Sequence, residues 1–564
     1  MNKKIILLLS VLCSYGLAQA DDFTLVRRAN RRFNAATVRD EATDRCVRQD
    51  LWEQPTNGDE ELYDDYRGNY SKGLAQLASG LPDPKAYESL LFALATGKPS
   101  DFDKIMMGTN PVQRKLHSPQ AGFDFNLGGA DSWIHSIAAP PALASAEKAG
   151  ELIELYQMAL LRDQRFNEDF AGPTAEVTAA LTALNALSDF RGPKAGGMVT
   201  AQTLFRSNVP GAVDGPYISQ FLLLPVSFSD TTFTQTYRVP KAVGNVNINL
   251  NNKDNNFLTD IATWTNIQKG QNPTNAIDFE TGLYRHIITL RDLASFVHND
   301  PPQLPYIFAL LILAGWAGTD ATVFNPNNPY AGNPTQTQFA EFFVPQFIGL
   351  LSLACDMALR AAWYQKWVVH RTIRPEYMAW LAHQQYNGVA GFTNLHNDLF
   401  APSTTLDDIN TLNMTTGGDD TYLLPQVFPE GCPLHPTYPA GHATIGGAAA
   451  TILKAFFNGD HDVPNPVVAN AAGTALAPYG GPALKIGNEL NKLAANIAIG
   501  RNMAGVHYRS DGEESLRLGE AVALSLLEDF AYTMNIDFEG FKLKKFDGTE
   551  VTVGAKKVMP GLPR

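Results

Sequence analysis

Between residues 363 and 511 the chain sets cations and imidazoles into otherwise apolar sequence at three places. In 363–376, WYQKWVVHRTIRPE, the residues Trp363, Lys366, His370 and Arg374 are spaced by 3, 4 and 4. On a continuing helix that spacing puts all four on one stripe. Pro375 disfavours helical geometry at the residue before it, so the helix is expected to end at Arg374 and free its guanidinium there. In 435–447, HPTYPAGHATIGG, His435 and His442 bracket a Pro439-Ala440-Gly441 turn that opens a helix of very small residues. Such a helix start offers backbone N–H groups and the positive end of a dipole to an anion. In 501–511, RNMAGVHYRSD, Asp511 follows His507 by four residues, where a carboxylate can fix the imidazole tautomer and raise its basicity.

Each segment alone admits an ordinary reading: a surface stripe, a capped core helix, a loop between helices. Together Lys366, Arg374, Arg501, the Gly441 N–H, His442 and His507 describe a pocket for a tetrahedral oxyanion. Two guanidiniums and an ammonium would neutralise it by charge-assisted hydrogen bonds. One histidine could bond its central atom, and another could move a proton.

The elements that must carry these residues are mostly helical. Helices are predicted over 145–162, 174–187, 345–370 and 512–530 from apolar residues recurring on one face. Pro345 suits a first helical turn, and Asp511 with Glu514 marks the start of the last helix. Residues 208–253 and 324–337 read as long irregular stretches, the first with short β-like runs. Residues 541–553 alternate around Asp547-Gly548, a hairpin signal. There is no internal repeat and no low-complexity linker. The segments are 1–20, 21–335 (helical, long loops), 336–540 (a helical bundle carrying the pocket) and 541–564 (hairpin and tail), regions of one body more than separable units.

The chain has 564 residues, 45% hydrophobic and 18% charged, which excludes disordered, collagen-like and disulfide-dense classes. Its net charge of −13 and the lack of a basic stripe argue against nucleic acid as a partner. Lys3-Lys4, the apolar run 5–12 and Ala18-Gln19-Ala20 form a secretory signal pattern, with a cut expected after Ala20 and a periplasmic or secreted product. The apolar run 306–314 is too short to span a bilayer. Beyond residue 20 lie Cys46, Cys355 and Cys432. In an oxidising compartment Cys46 and Cys432 are the favoured bridge, although three pairings are open. Asn252, Asp254, Asn256 and Asp260 imitate a calcium loop but lack its glycine and closing glutamate, so structural calcium has no recognisable motif.

The three segments resemble the signature of the vanadium-dependent haloperoxidases and their relatives, the type-2 phosphatidic acid phosphatases. Seven residues separate Lys366 from Arg374, the spacing of the algal and cyanobacterial bromoperoxidase branch; the phosphatases usually have six. Segments 118–132, 151–163, 215–222 and 291–300 look like that branch too, and the resemblance spans roughly residues 85 to 555. It implies an all-α fold with two four-helix bundles, long irregular loops and a small C-terminal hairpin. It implies that His507 binds the vanadium of a vanadate cofactor, that Lys366, Arg374, Arg501 and Gly441 hold its oxygens, and that His442 handles protons. His435 would be a second pocket histidine, Lys366 would polarise peroxide, and Asp511, Trp363 and His370 would stand behind the ligands. The implied reaction oxidises halide, bromide favoured and iodide next, with hydrogen peroxide to hypohalous acid, which halogenates small organic acceptors. A homo-oligomer is expected. Two positions depart from the pattern: Ala440 and Gly500 stand where the family and superfamily usually carry Ser. The same pocket admits two other readings, an acid phosphatase with a phosphohistidine intermediate at His507 and a non-catalytic secreted oxyanion-binding protein.

Overall fold

The computed structural model describes residues 20–50, 52–228, 230–242, 255–400 and 404–555. Most of the proposed signal sequence, and Asn252 and Asp254 of the calcium-like run, lie outside the described residues. Asp260 caps the helix Ile261–Gln268 with its carboxylate, and the Asn256 side chain accepts from Arg162.

The elements that build the site are helices α1 (Ala146–Leu160), α2 (Leu290–Phe296), α3 (Leu304–Ala317), α4 (Val344–Tyr364), α5 (Pro375–Tyr386), α6 (Gly441–Phe456), α7 (Ile486–Met503) and α8 (Arg509–Thr533). Four two-stranded antiparallel sheets accompany them among the described residues. Strands β1 (Tyr237–Pro240) and β2 (Phe279–Arg285) pair across a long connection, while β3 (Phe541–Lys544) and β4 (Glu550–Val553) form the terminal hairpin.

Helix α6 is the axis of the C-terminal bundle. It packs against α4, α7 and α8, and α8 also meets α4 and α7. Its small residues explain the arrangement. A Cβ on Gly447 would lie 2.2 Å from the Leu516 carbonyl oxygen, and one on Gly519 would lie 2.0 Å from that of Thr444. The α6 and α8 backbones therefore touch, which fixes the start of α6 against the start of α8. Helix α4 with its continuation, Val344–His370, is long and apolar enough to cross a membrane by length and composition, but half of that stretch is buried inside the protein.

Helix α1 is buried along nearly its whole length, polar residues included. Its charges are paired internally: Lys148 to Glu151 at 2.8 Å, and Glu154 to Arg509 of α8. Glu151 also accepts the Ser510 N–H at 2.5 Å. The helices Ala175–Ala186, α5 and Thr405–Thr415 pack around α1.

The Cys46–Cys432 bridge favoured above is absent. All three described cysteines are free. Cys432 is fully buried and points its thiol at the Gly505 carbonyl, and Cys355 lies inside α4. Burial pushes both thiols up to about 12.

Candidate active site

The stripe expected over 363–374 is broken. Helix α4 ends at Tyr364, and Gln365–His370 forms a wide π-type turn. Arg371 then takes a left-handed conformation, φ 43°. The inserted turn rotates each later side chain away from the helical register. Lys366 consequently reaches the 436–437 loop. His370 leaves the site: its ring packs edge-on against Tyr438, centroids 4.8 Å apart, where burial pushes it down to about 3. Arg374 is the N-cap of α5, with Pro375 as its first residue.

Lys366, Arg374 and Arg501 are buried, yet carbonyl oxygens and imidazoles hold them, not carboxylates. Lys366 Nζ donates to the carbonyls of Pro436 and Thr437, both at 2.7 Å. Arg374 donates to the His435 and Val506 carbonyls at 2.9 and 2.7 Å, and its guanidinium lies 3.2 Å from His507 Nε2 and 2.9 Å from His435 Nδ1. Arg501 donates through Nη1 to the Val297 carbonyl, and its buried Nε has no partner among the described residues. Burial, reinforced by Arg374, pushes the Lys366 ammonium well below its ordinary value. Such a cluster is under-neutralised until an anion enters.

The imidazoles are oriented from behind. His507 Nδ1 lies 2.8 Å from Asp511 Oδ2, so Nδ1 carries the proton and Nε2 presents its lone pair toward Arg374. The same carboxylate oxygen accepts from the Thr437 hydroxyl and from the Tyr508 N–H. Burial first, then Arg374 and Lys366, hold His507 well below its ordinary pKa, so it is neutral. His442 Nε2 meets Asp300 Oδ1 at 2.9 Å; burial and Arg501 outweigh that carboxylate and keep the imidazole below its usual pKa. His435 lies between Trp363 and His117, with ring centroids at 4.8 and 5.6 Å.

Trp363, His435, Gly441, His442, Arg501 and His507 line a cavity of about 280 Å³, joined by Arg114, His117, His298, Phe428 and Glu430. Gly441 is the first residue of α6, so its N–H has no partner within the helix. A Cβ there would stand 3.2 Å from both Leu359 and Trp363. Ala440 is buried, and its N–H goes to Ser515 Oγ at 2.7 Å. Gly500 has a packing reason: a Cβ would press on Val297 and Leu293, at 3.1 and 3.2 Å, where α2 and the residue after it cross α7. The structure thus gathers Lys366, Arg374, His435, Gly441, His442, Arg501 and His507, with Trp363 on the wall and Asp511 behind.

Asp300, Thr437, Ser515, His117 and the His298–Glu430 pair were not singled out from sequence. Segment 291–300 carries two of them, but no local spacing ties it to the three motifs.

A tetrahedral oxyanion fits this pocket. The spare Arg501 Nε and the Gly441 N–H could donate to it, the cations could neutralise it, and His507 Nε2 has a lone pair that could bind a central metal atom. Among the described residues no three His, Cys, Asp or Glu side chains are placed to share a metal ion.

Residues 346–535 match the family model of the VCPO second helical-bundle domain. The vanadium-dependent bromoperoxidase of Corallina officinalis is 32% identical, over 88% of this chain and 92% of its own. That of Ascophyllum nodosum is also 32% identical, over 90% and 91%. The homohexameric structure of the second vanadate-dependent bromoperoxidase of Ascophyllum nodosum superposes with a TM-score of 0.84 at 29% identity, over 93% of this chain and 90% of that one. With near-complete coverage at that identity, and with the oxyanion pocket assembled from all three sequence segments, this chain belongs to the vanadium-dependent bromoperoxidase family.

Proposed function

We propose that the protein is a vanadium-dependent haloperoxidase that oxidises bromide, and iodide, with hydrogen peroxide to hypohalous acid, which halogenates organic acceptors. The observation that carries this reading is the gathering of Lys366, Arg374 and Arg501, each held by backbone carbonyls and not by a carboxylate, around the neutral imidazoles of His435, His442 and His507. His507 Nε2 would bind vanadium, and Arg374, Arg501, Lys366 and the Gly441 N–H would hold its oxygens. Bound vanadate supplies a Lewis-acidic centre that activates peroxide toward halide without a change of oxidation state.

The protein's own groups divide the remaining work. Asp511 holds the proton on His507 Nδ1 and leaves Nε2 free to ligate. His442, oriented by Asp300, accepts a proton from entering peroxide and returns it to the leaving oxygen. Lys366 would set its positive charge beside a bound oxygen and stabilise negative charge there. Trp363 and Phe428 exclude bulk water, which strengthens each of these interactions. The homohexameric relative supports a homo-oligomer here. The N-terminal Lys-apolar-AxA pattern supports export.

The test is peroxide-dependent bromination by metal-stripped protein with and without orthovanadate. Activity should be absent, return with vanadate, and be suppressed when phosphate competes. Full activity after rigorous vanadium removal would overturn the proposal.

A further inference from the structure

A second cavity, of about 520 Å³, adjoins the catalytic one, and His298 and Asn299 line both. Part of its wall is aromatic: Tyr237 packs edge-on against Phe296, centroids 4.6 Å apart, and Phe279 lines it as well. Two guanidiniums reach it. Arg285 is paired with Asp292 at 2.9 Å. Arg238 is exposed, lies over the Phe279 ring at 4.1 Å and makes no ion pair with any described residue. At the shared wall stands Asp300, whose Oδ1 holds His442 while its buried Oδ2 has no partner among the described residues. The His298 ring is stacked on Phe428 at 3.9 Å and tied to Glu430 at 2.5 Å, so the partition is an ordered one.

We infer that this second cavity seats the organic acceptor, and that the acceptor is a phenol bearing a carboxylate or comparable anionic group. The inference rests on the haloperoxidase reading for the source of its electrophile. Aromatic walls take the ring by stacked and edge contacts. Arg238 takes the anionic end by a charge-assisted hydrogen bond at the mouth. Asp300 Oδ2 accepts from the phenol hydroxyl at the inner end, and the opposite order would set two negative charges together. The ring carbon beside the hydroxyl is then the one nearest the partition. Hypobromous acid formed on the other side delivers bromine to that carbon. The C–Br bond forms, the Br–O bond breaks with its electron pair going to oxygen, and the carbon loses its proton, so that hydroxide and proton leave as water.

The experiment has two arms. In the first, 4-hydroxyphenylacetate is titrated by calorimetry into vanadate-free protein; it should bind saturably, and its methyl ester should bind more weakly. In the second, the acid and the ester compete for bromination by the vanadate-loaded enzyme, and the product ratio is compared with that from reagent hypobromous acid. The enzyme should favour the acid by about threefold or more over the reagent, the scale of one partly exposed ion pair. Arg238→Ala should return the ratio to the reagent value, and Arg238→Glu should push it below. A reagent-like ratio from the wild type, or no saturable binding to the vanadate-free protein, would overturn the inference. Bromide-dependent peroxide consumption without any acceptor separates the two levels. If it is present while the ratio is reagent-like, the acceptor site falls and the haloperoxidase reading stands; if it is absent, the haloperoxidase reading and the bromination role fall together.

Discussion

Position 440 allows the oxyanion pocket to be tested with one added atom. Ala440 is the N-cap of α6, at φ −79° and ψ 120°, and caps nothing with its side chain. In Ala440→Ser the new hydroxyl has two uses. It can accept from an N–H in the first turn of α6, which is worth about 1 kcal/mol. It can also donate to a bound oxyanion, worth about 0.5–1.5 kcal/mol net, or up to roughly tenfold in affinity. The two effects separate because only the first exists without ligand. At about 2 cal/mol/K of unfolding entropy per residue, 1 kcal/mol moves the melting temperature of a chain this long by only about 1 °C. Thermal unfolding of the vanadate-free pair therefore reads the cap, and vanadate titration at one pH reads the oxyanion contact. Tighter vanadate binding with a nearly unchanged melting temperature is the expected result. Activity is a poor readout, since extra ground-state binding need not lower the barrier. Vanadate binding weakened by more than about tenfold, the whole size of the gain one hydrogen bond could give, would refute the assignment of position 440 to the oxyanion, and the second motif would have to be redrawn.

His507→Ala should lose vanadate and activity together; wild-type vanadate affinity in that variant would remove His507 as the ligand. Asp511→Asn keeps the shape but not the charge behind His507, and equilibrium titration should find vanadate affinity lower by about 10- to 100-fold. Gly519→Ala forces a methyl group onto the Thr444 carbonyl oxygen, and denaturant unfolding should show a loss of about 1–3 kcal/mol or more. Burial pushes Lys454 down to about 8, against a model-peptide value of 10.5. The unfolded chain then binds the proton more tightly, so stability is lowered while the buried lysine is charged and rises as pH climbs from about 8 to 10.5, by about 2–3 kcal/mol. Lys454→Met should flatten that rise in urea midpoints taken at pH 7.5 and 10.

Local chemistry made much of the site legible. Lys366 and Arg374, His435 to His442, and Arg501 to Asp511 each sit within one short segment, so their spacing survives in sequence. His370 was misplaced because a π-type turn carries no local residue signature. The start of α8 was set too late, at Gly512, whereas the helix begins at Arg509. There Asp511 closes a local capping box on the Tyr508 N–H, while the Ser510 N–H is taken by Glu151 from α1, a tertiary contact that local sequence does not announce. Asp300 was missed for the same reason: it reaches His442 from 142 residues away. Strand β1 lay in a stretch with β-like runs, but its pairing with β2 spans a connection whose closure is a property of the fold.

An enzyme that releases hypohalous acid is the first protein its product meets. Thiolates, not thiols, are the fast targets among cysteines. Cys355 and Cys432 are buried and held protonated, one inside α4 and the other directly behind the pocket. Among the described residues the sulfur left within reach of solvent is that of Cys46 on the N-terminal helix Ala20–Val47, the half-buried Met107, and the exposed Met106, Met198 and Met414. Oxidation at those places adds oxygen to the outer shell and leaves the bundle untouched. Such an enzyme ages from the surface inward, gathering mass long before it loses turnover.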